Sequence, residues 1–270
     1  MKYNKFEAII TQPRMSRYLQ ACNNDTKKAM TLYRYNLELS QELLTVISCF
    51  EVALRNAIDT HYSIVKGQEW LSDSVETTKS IRTTISNIVT DVLDGSISNN
   101  TNTFNVFNTN TINNGMFSVD NCKSTAKLIR DAKKNLGTSY SHNKLIAELG
   151  FGFWRYLFNG IQYNAAGNTL LQIFTNRPIS PQSINGRYIH FNQLYVFDQL
   201  KQINKLRNRI AHHEPICFVI SNNITTKSTQ YARTQYAIII ELFHWLGIDA
   251  ADLLFGLDHV LKVCDKIDRQ

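Results

Sequence analysis

The stretch Ile203-Asn204-Lys205-Leu206-Arg207-Asn208-Arg209-Ile210-Ala211-His212-His213-Glu214-Pro215 sets how the chain is read. Val196, Leu200, Ile203, Leu206 and Ile210 recur at three- and four-residue steps, the spacing of an amphipathic helix. Pro215 biases Glu214 out of the helical region, so the helix closes there and the histidines fall in its last turn. At about 3.6 residues per turn, Arg207 borders the apolar stripe, whereas Asn208 and His212, four apart, share the face pointing away from it. A helix C-terminus is electronegative and favours a cationic imidazole. An arginine beside such a histidine can grip and process a phosphate.

Outward from this helix the same period recurs. Residues 2–21 predict a short helix, a turn at Pro13 and a second helix from about Arg14 to Ala21, an N-terminal helical extension covering 1–24. Asp25 is the expected N-cap of a run that stays helical to about Lys66, as two helices or as one kinked near Ser40 and Gln41. Ile47, Phe50, Leu54, Ile58, His61 and Val65 form its expected buried stripe, and Glu51 and Arg55 an i,i+4 pair. A Thr-, Ile- and Val-rich helix over about 74–93 needs tertiary packing to hold it, and the Asn, Thr and Ser of 95–122 predict an inserted, extended loop.

Helices are expected next over 123–136, closing on Gly137, and from after Ser141 to about Phe158. Gly150 and Gly152 inside the latter each cost about 1 kcal/mol relative to Ala, which points to a close helix crossing. Trp154, Tyr156, Leu157 and Phe158 read as core bulk around it. A helix over 161–174, a loop at Arg177-Pro178 and Pro181, and the motif helix at about 190–213 follow. After a connection through Cys217 to Asn223, two helices close the chain, about 228–246 and 249–267, parted by Gly247 and opened by Asp249. The fold class is all-α, one helical domain over 25–270 behind the extension, with no strand ladder.

Composition narrows the function classes. The 270 residues are 43% hydrophobic, ample for a buried core, and the net charge of +7 favours an anionic partner without choosing one. Cys22, Cys49, Cys122, Cys217 and Cys264 are odd in number, lie far apart and form no C-x-x-C pair, as expected of reduced thiols in the cytoplasm. The N-terminus lacks a signal peptide's apolar run, and no window approaches the roughly 18 apolar residues of a membrane span, so a cytoplasmic protein without membrane contact is expected. Walker A, G-x-G-x-x-G, H-E-x-x-H and G-x-S-x-G motifs are missing and the carboxylates are scattered, so neither metal nor cofactor is expected.

Arg207-Asn208-x3-His212 resembles the R-N-x3-H motif of the HEPN superfamily, whose RNase members use that Arg and His in metal-independent RNA cleavage. Residues 145–158, Leu-Ile-Ala-Glu-Leu-Gly-Phe-Gly-Phe-Trp-Arg-Tyr-Leu-Phe, resemble the AELxFGFW signature of Abi-like abortive-infection proteins of the AbiD/AbiF type. That family ends in the same Leu-Arg-Asn-Arg-Ile-Ala-His-His-Glu-Pro run, and Phe50-Glu51-Val52-Ala53-Leu54-Arg55 is similar to its N-terminal E-x-x-L-R element. The resemblance covers roughly residues 30–216 and implies a HEPN-like helical bundle, phage defence through RNA cleavage, and in some relatives restraint by a small non-coding RNA.

The chemistry fits the residues. RNA supplies its own nucleophile, the 2′-hydroxyl, so cleavage needs an acid or base and a cation for the phosphorane. His212 and Arg207 suit those roles, with Asn208 orienting the imidazole or contacting the phosphate and Arg209, Lys205, Lys201 and His213 as substrate-binding candidates. Arg55-Asn56-x4-His61 fits a looser Arg-x4–6-His form, but His61 lies on the apolar stripe and reads as a core histidine. Arg55, Glu51 and His61 are secondary candidates. In the family the working site forms where two motifs face each other, so the resemblance implies a homodimer. The competing reading is a HEPN module that binds RNA or a partner protein without cutting it.

Overall fold

The computed structural model describes residues 1–75, 122–184 and 187–270. The expected 95–122 excursion and most of the expected 74–93 helix lie outside the described residues, although 70–75 are helical. Helix α1 spans Tyr3–Ile10 and α2 Gln12–Ala21, with Pro13 in the first turn of α2, where its missing N–H costs nothing. Helix α3 runs unbroken over Thr26–Lys66, 41 residues. Asp25 caps it, its Oδ1 accepting from the backbone N–H groups of Lys27 at 2.9 Å and Lys28 at 3.0 Å. The expected break at Ser40 does not occur: the helix is continuous through it, and the Ser40 hydroxyl donates to the Asn36 carbonyl at 2.8 Å within the helix.

Helices α4 (Lys123–Leu136), α5 (His142–Glu148), α6 (Phe151–Tyr156) and α7 (Gly160–Ala165) follow, then a 3-10 turn at Leu170–Ile173. Strands β1 (Gln182–Ile184) and β2 (Arg187–Ile189) pair antiparallel ahead of α8 (Gln193–Ala211). Strands β3 (Phe218–Ser221) and β4 (Ile224–Lys227) form a second hairpin, and α9 (Gln230–Trp245), α10 (Ala250–Leu253) and α11 (Val260–Arg269) complete the chain. The class is all-α, with two small hairpins that the expectation of no strands missed. Asn222 and Asn223, at φ 50° and 62°, make the tight turn of the second, a conformation asparagine tolerates.

Further expectations are corrected. The helix drawn from 142 to 158 is two helices, because Leu149 and Gly150 are extended, and Trp154 Nε1 donates to the Leu149 carbonyl at 3.0 Å across the break. A Cβ built at Gly150 or Gly152 meets nothing within 4 Å, so no close helix crossing explains those glycines. The last predicted helix is likewise divided into α10 and α11, with Gly256 at φ 73° in the turn between them. On α3 the buried stripe runs from Leu54 and Ile58 to Tyr62, whereas Val65 is 46% exposed. Trp154, Leu157 and Phe158 are core as expected, and Tyr156 is exposed.

The chain folds as two compact units, one from residues 1–53 with 201–270 and the other from 54–200. In the first, Phe50 of α3 meets Phe243 of α9 edge to face, with ring centroids 5.3 Å apart. Arg233 on α9 grips Asp265 at 2.7 Å and Asp268 at 2.9 Å on α11. In the second, Asp59 Oδ1 accepts from Trp70 Nε1 at 2.7 Å and bonds His142 Nε2 at 2.8 Å, and Leu54, Ile58, Tyr62 and Trp154 of the same unit are buried.

A basic groove at the end of the motif helix

Ile203, Leu206 and Ile210 are buried in the first unit, so the residues between them on this part of α8 are turned outward. Asn208 and His212 are exposed and Arg207 is half-buried, the arrangement expected from the spacing. Lys201 and Lys205 are exposed on the same helix. Among the described residues, the side chains of Arg207, Asn208 and His212 make no hydrogen bond or ion pair. They remain available to a ligand.

The helix stops in a Schellman turn. The Glu214 N–H donates to the Arg209 carbonyl at 2.8 Å and the His213 N–H to Ile210 at 2.9 Å, while His213 takes φ 54°, a left-handed conformation usually given to glycine. The contact that commonly closes such a turn is apolar, but here Arg209 Nε pairs with Glu214 Oε2 at 3.4 Å. Arg209 Nη2 also donates to the Pro215 carbonyl, and its guanidinium lies over the Tyr231 ring, 4.7 Å from the centroid. Arg209 is thus engaged in shaping the turn. Next along the chain, Ile216 N–H donates to the buried Asn36 Oδ1 at 2.8 Å, and burial pushes the Cys217 thiol far above its ordinary range.

The other wall of the site comes from α2. Met15 and Tyr18 are buried, Tyr18 against Phe218 with ring centroids 4.8 Å apart, so Arg14 and Arg17 lie on the exposed side. Gln20 brackets the second hairpin, donating to the Asn223 carbonyl at 3.2 Å and accepting from Thr225 N–H at 3.1 Å. Arg14 Nη1 reaches the His213 carbonyl at 3.4 Å. Together these residues enclose a groove of about 330 Å³ between Thr11, Arg14 and Arg17 on one side and His212 and His213 on the other. A larger groove of about 760 Å³ shares Arg17, Glu214 and Pro215 with it and extends to Val219, Ile220 and Tyr231.

Sequence reasoning missed Arg14, Arg17, Asn36 and Tyr231. Two arginines three apart, interleaved with the apolar Met15 and Tyr18, were a legible sign of a basic helix face. Their proximity to His212 was not legible. The secondary candidates are placed elsewhere: Arg55 and His61 stand on α3 in the unit spanning 54–200, where His61 Nε2 bonds Thr169 Oγ1 at 2.9 Å and burial lowers its pKa. Glu51, half-buried on α3, falls in the other unit. Among the described residues no three His, Cys, Asp or Glu side chains gather as a metal site requires, and no helix is long and apolar enough to cross a membrane.

A profile of the Abi-like protein family matches residues 2–217, from α1 through Arg14, Arg17 and the whole of the motif helix to just beyond Pro215. The chain belongs to the Abi-like protein family. No curated protein and no solved structure matches it. The Abi-like match ends ahead of both strands of the second hairpin and ahead of α9, so Tyr231 is supplied from outside the matched region.

Proposed function

We propose that this Abi-like chain acts in abortive infection as a metal-independent HEPN endoribonuclease. The observation that carries the reading is the presentation of Arg207, Asn208 and His212 at the exposed end of α8, with His212 facing a groove whose opposite wall is Arg14 and Arg17. A site with two guanidinium groups opposite an imidazole suits a phosphodiester. The RNA 2′-hydroxyl loses its proton and attacks the adjacent phosphorus, the bond to O5′ breaks, and the products are a 2′,3′-cyclic phosphate and a 5′-hydroxyl. His212 serves as acid or base, worth about 10²–10⁴-fold, and Arg207 stabilises charge on the phosphorane. Asn208, one turn before His212, orients the imidazole. Lys201 and Lys205 extend the positive surface along α8. The exposed face of α8 also suits a symmetric homodimer in which two motifs form one composite site.

The test is cleavage of single-stranded RNA in EDTA by the wild type and by the Arg207→Ala and His212→Ala variants, with the new ends mapped chemically. Each variant should lose at least about 10²-fold in rate, and the 5′ ends should be hydroxyls. Undiminished cleavage in both variants would overturn the mechanism. RNA binding without cleavage by the wild type would leave the reading of a non-catalytic binding module.

A further inference from the structure

We infer that helix α2 belongs to the RNA-binding machinery: Arg14 and Arg17 anchor phosphates flanking the scissile one, and the strand continues past Arg17 into the larger groove, where Tyr231 receives a base. This deepens the proposed function and rests on it. The two grooves adjoin at Arg17, Glu214 and Pro215, which line both, so a strand crossing these residues passes from His212 to Tyr231.

The chemistry along the path changes in the way a nucleic-acid strand demands. At the His212 end the lining is cationic, from Arg14 and Arg17; at the other end it is aromatic and apolar, with Val219 and Ile220 each 51% exposed beside Tyr231. Guanidinium groups match phosphates, and an aromatic ring accepts the face of any base. Glu214 is the one carboxylate among the described residues lining either groove, and Arg209 holds it at 3.4 Å. The same Arg209 backs the Tyr231 ring, fixing it as a stacking platform. An acidic peptide would use the arginines but would leave the aromatic end without a partner. Anchoring is rigid, because buried Met15 and Tyr18 and the Gln20 bracket fix α2, and the arginines are presented without a loop to order.

Fluorescence anisotropy of a labelled single-stranded RNA of about 12 nucleotides tests this in the full chain carrying His212→Ala, which separates binding from cutting. Adding Arg14→Gln and Arg17→Gln should weaken binding at least about tenfold and flatten the dependence of log K on log salt by about 0.7 for each phosphate that is no longer neutralised. Arg14→Lys with Arg17→Lys should restore the slope, which a merely structural role for the arginines would not do. Lys27→Gln with Lys28→Gln removes the same charge from the exposed start of α3 and should leave affinity and slope close to the parent. Tyr231→Ala should weaken binding roughly tenfold without changing the slope. Unchanged affinity and slope in the Arg14/Arg17 variant, or displacement of the RNA by polyglutamate at equal charge concentration, overturns the inference. Wild-type protein that binds through Arg14 and Arg17 but leaves RNA intact overturns the nuclease reading instead and retains the binding path.

Discussion

Asn36 and Ile216, 180 residues apart in sequence, are joined by a 2.8 Å hydrogen bond from the Ile216 N–H to the Asn36 side-chain oxygen. Asn36 is 2% exposed, and Ile216 follows directly on the Pro215 that ends the motif, so a buried amide on α3 fixes where the chain goes after the motif helix. Several paths are open to a chain leaving a proline. The bond selects one.

Replacing Asn36 by Leu should therefore cost about 1–3 kcal/mol, the penalty for leaving the Ile216 N–H buried and unpaired. Urea unfolding checks it: the midpoint should fall with the slope unchanged. A midpoint equal to the wild type's would show that the bond fixes nothing.

His213 carries a strain that glycine would not feel. At φ 54° the His213→Gly variant should be more stable by roughly 1 kcal/mol, and His213→Val less stable, because a β-branched side chain tolerates that region worst. Thermal melts in the same buffer decide it. If the glycine variant is also the weaker RNA binder, the strain is retained for contact with the ligand.

Burial lowers the pKa of His61 below the ordinary imidazole value of 6.5. The unfolded chain takes up its proton near that value while the folded protein still resists it, so His61 contributes stability that is present above about pH 6.5 and is lost as the pH falls through the folded value. His61→Gln can keep a hydrogen bond to Thr169 but does not titrate. Its stability should fall less steeply than the wild type's between pH 7 and pH 5, measured by urea midpoints, and parallel curves would remove His61 from the acid response.

Sedimentation equilibrium at micromolar concentration should give a homodimer, twice the 31.0 kDa chain mass. Salt should not dissociate it if its interface is apolar. A strict monomer that still cut RNA would refute the composite site.

The helices were legible where one side of each is apolar and the ends carry their own signals. Asp25, Ser141 and Asn159 precede helices and accept from backbone N–H groups of their first turns, and Gly137 terminates one at φ 79°. The break inside the 142–158 run was missed because Leu149 is apolar and periodic, yet its backbone is extended and its carbonyl accepts from Trp154 Nε1 five residues on. The second hairpin was marked by Asn222-Asn223, a two-residue turn pair that the surrounding polarity concealed. For the site, the outward set Asn208 and His212 followed from helical periodicity alone. Arg14, Arg17 and Tyr231 did not, since each reaches the groove through packing between segments far apart in the chain.

The first unit is assembled from two separated segments of the polypeptide, 1–53 and 201–270, with 54–200 between them. During synthesis, α2 leaves the ribosome while the motif helix does not yet exist, and at about 5–20 residues per second the intervening segment takes on the order of ten seconds to make. Arg14, Asn36 and Gln20 wait for His213, Ile216 and Thr225, so none of these bonds forms until translation has passed the second hairpin. A nascent or prematurely terminated chain therefore lacks the groove, because the wall carrying His212 and His213 is made last.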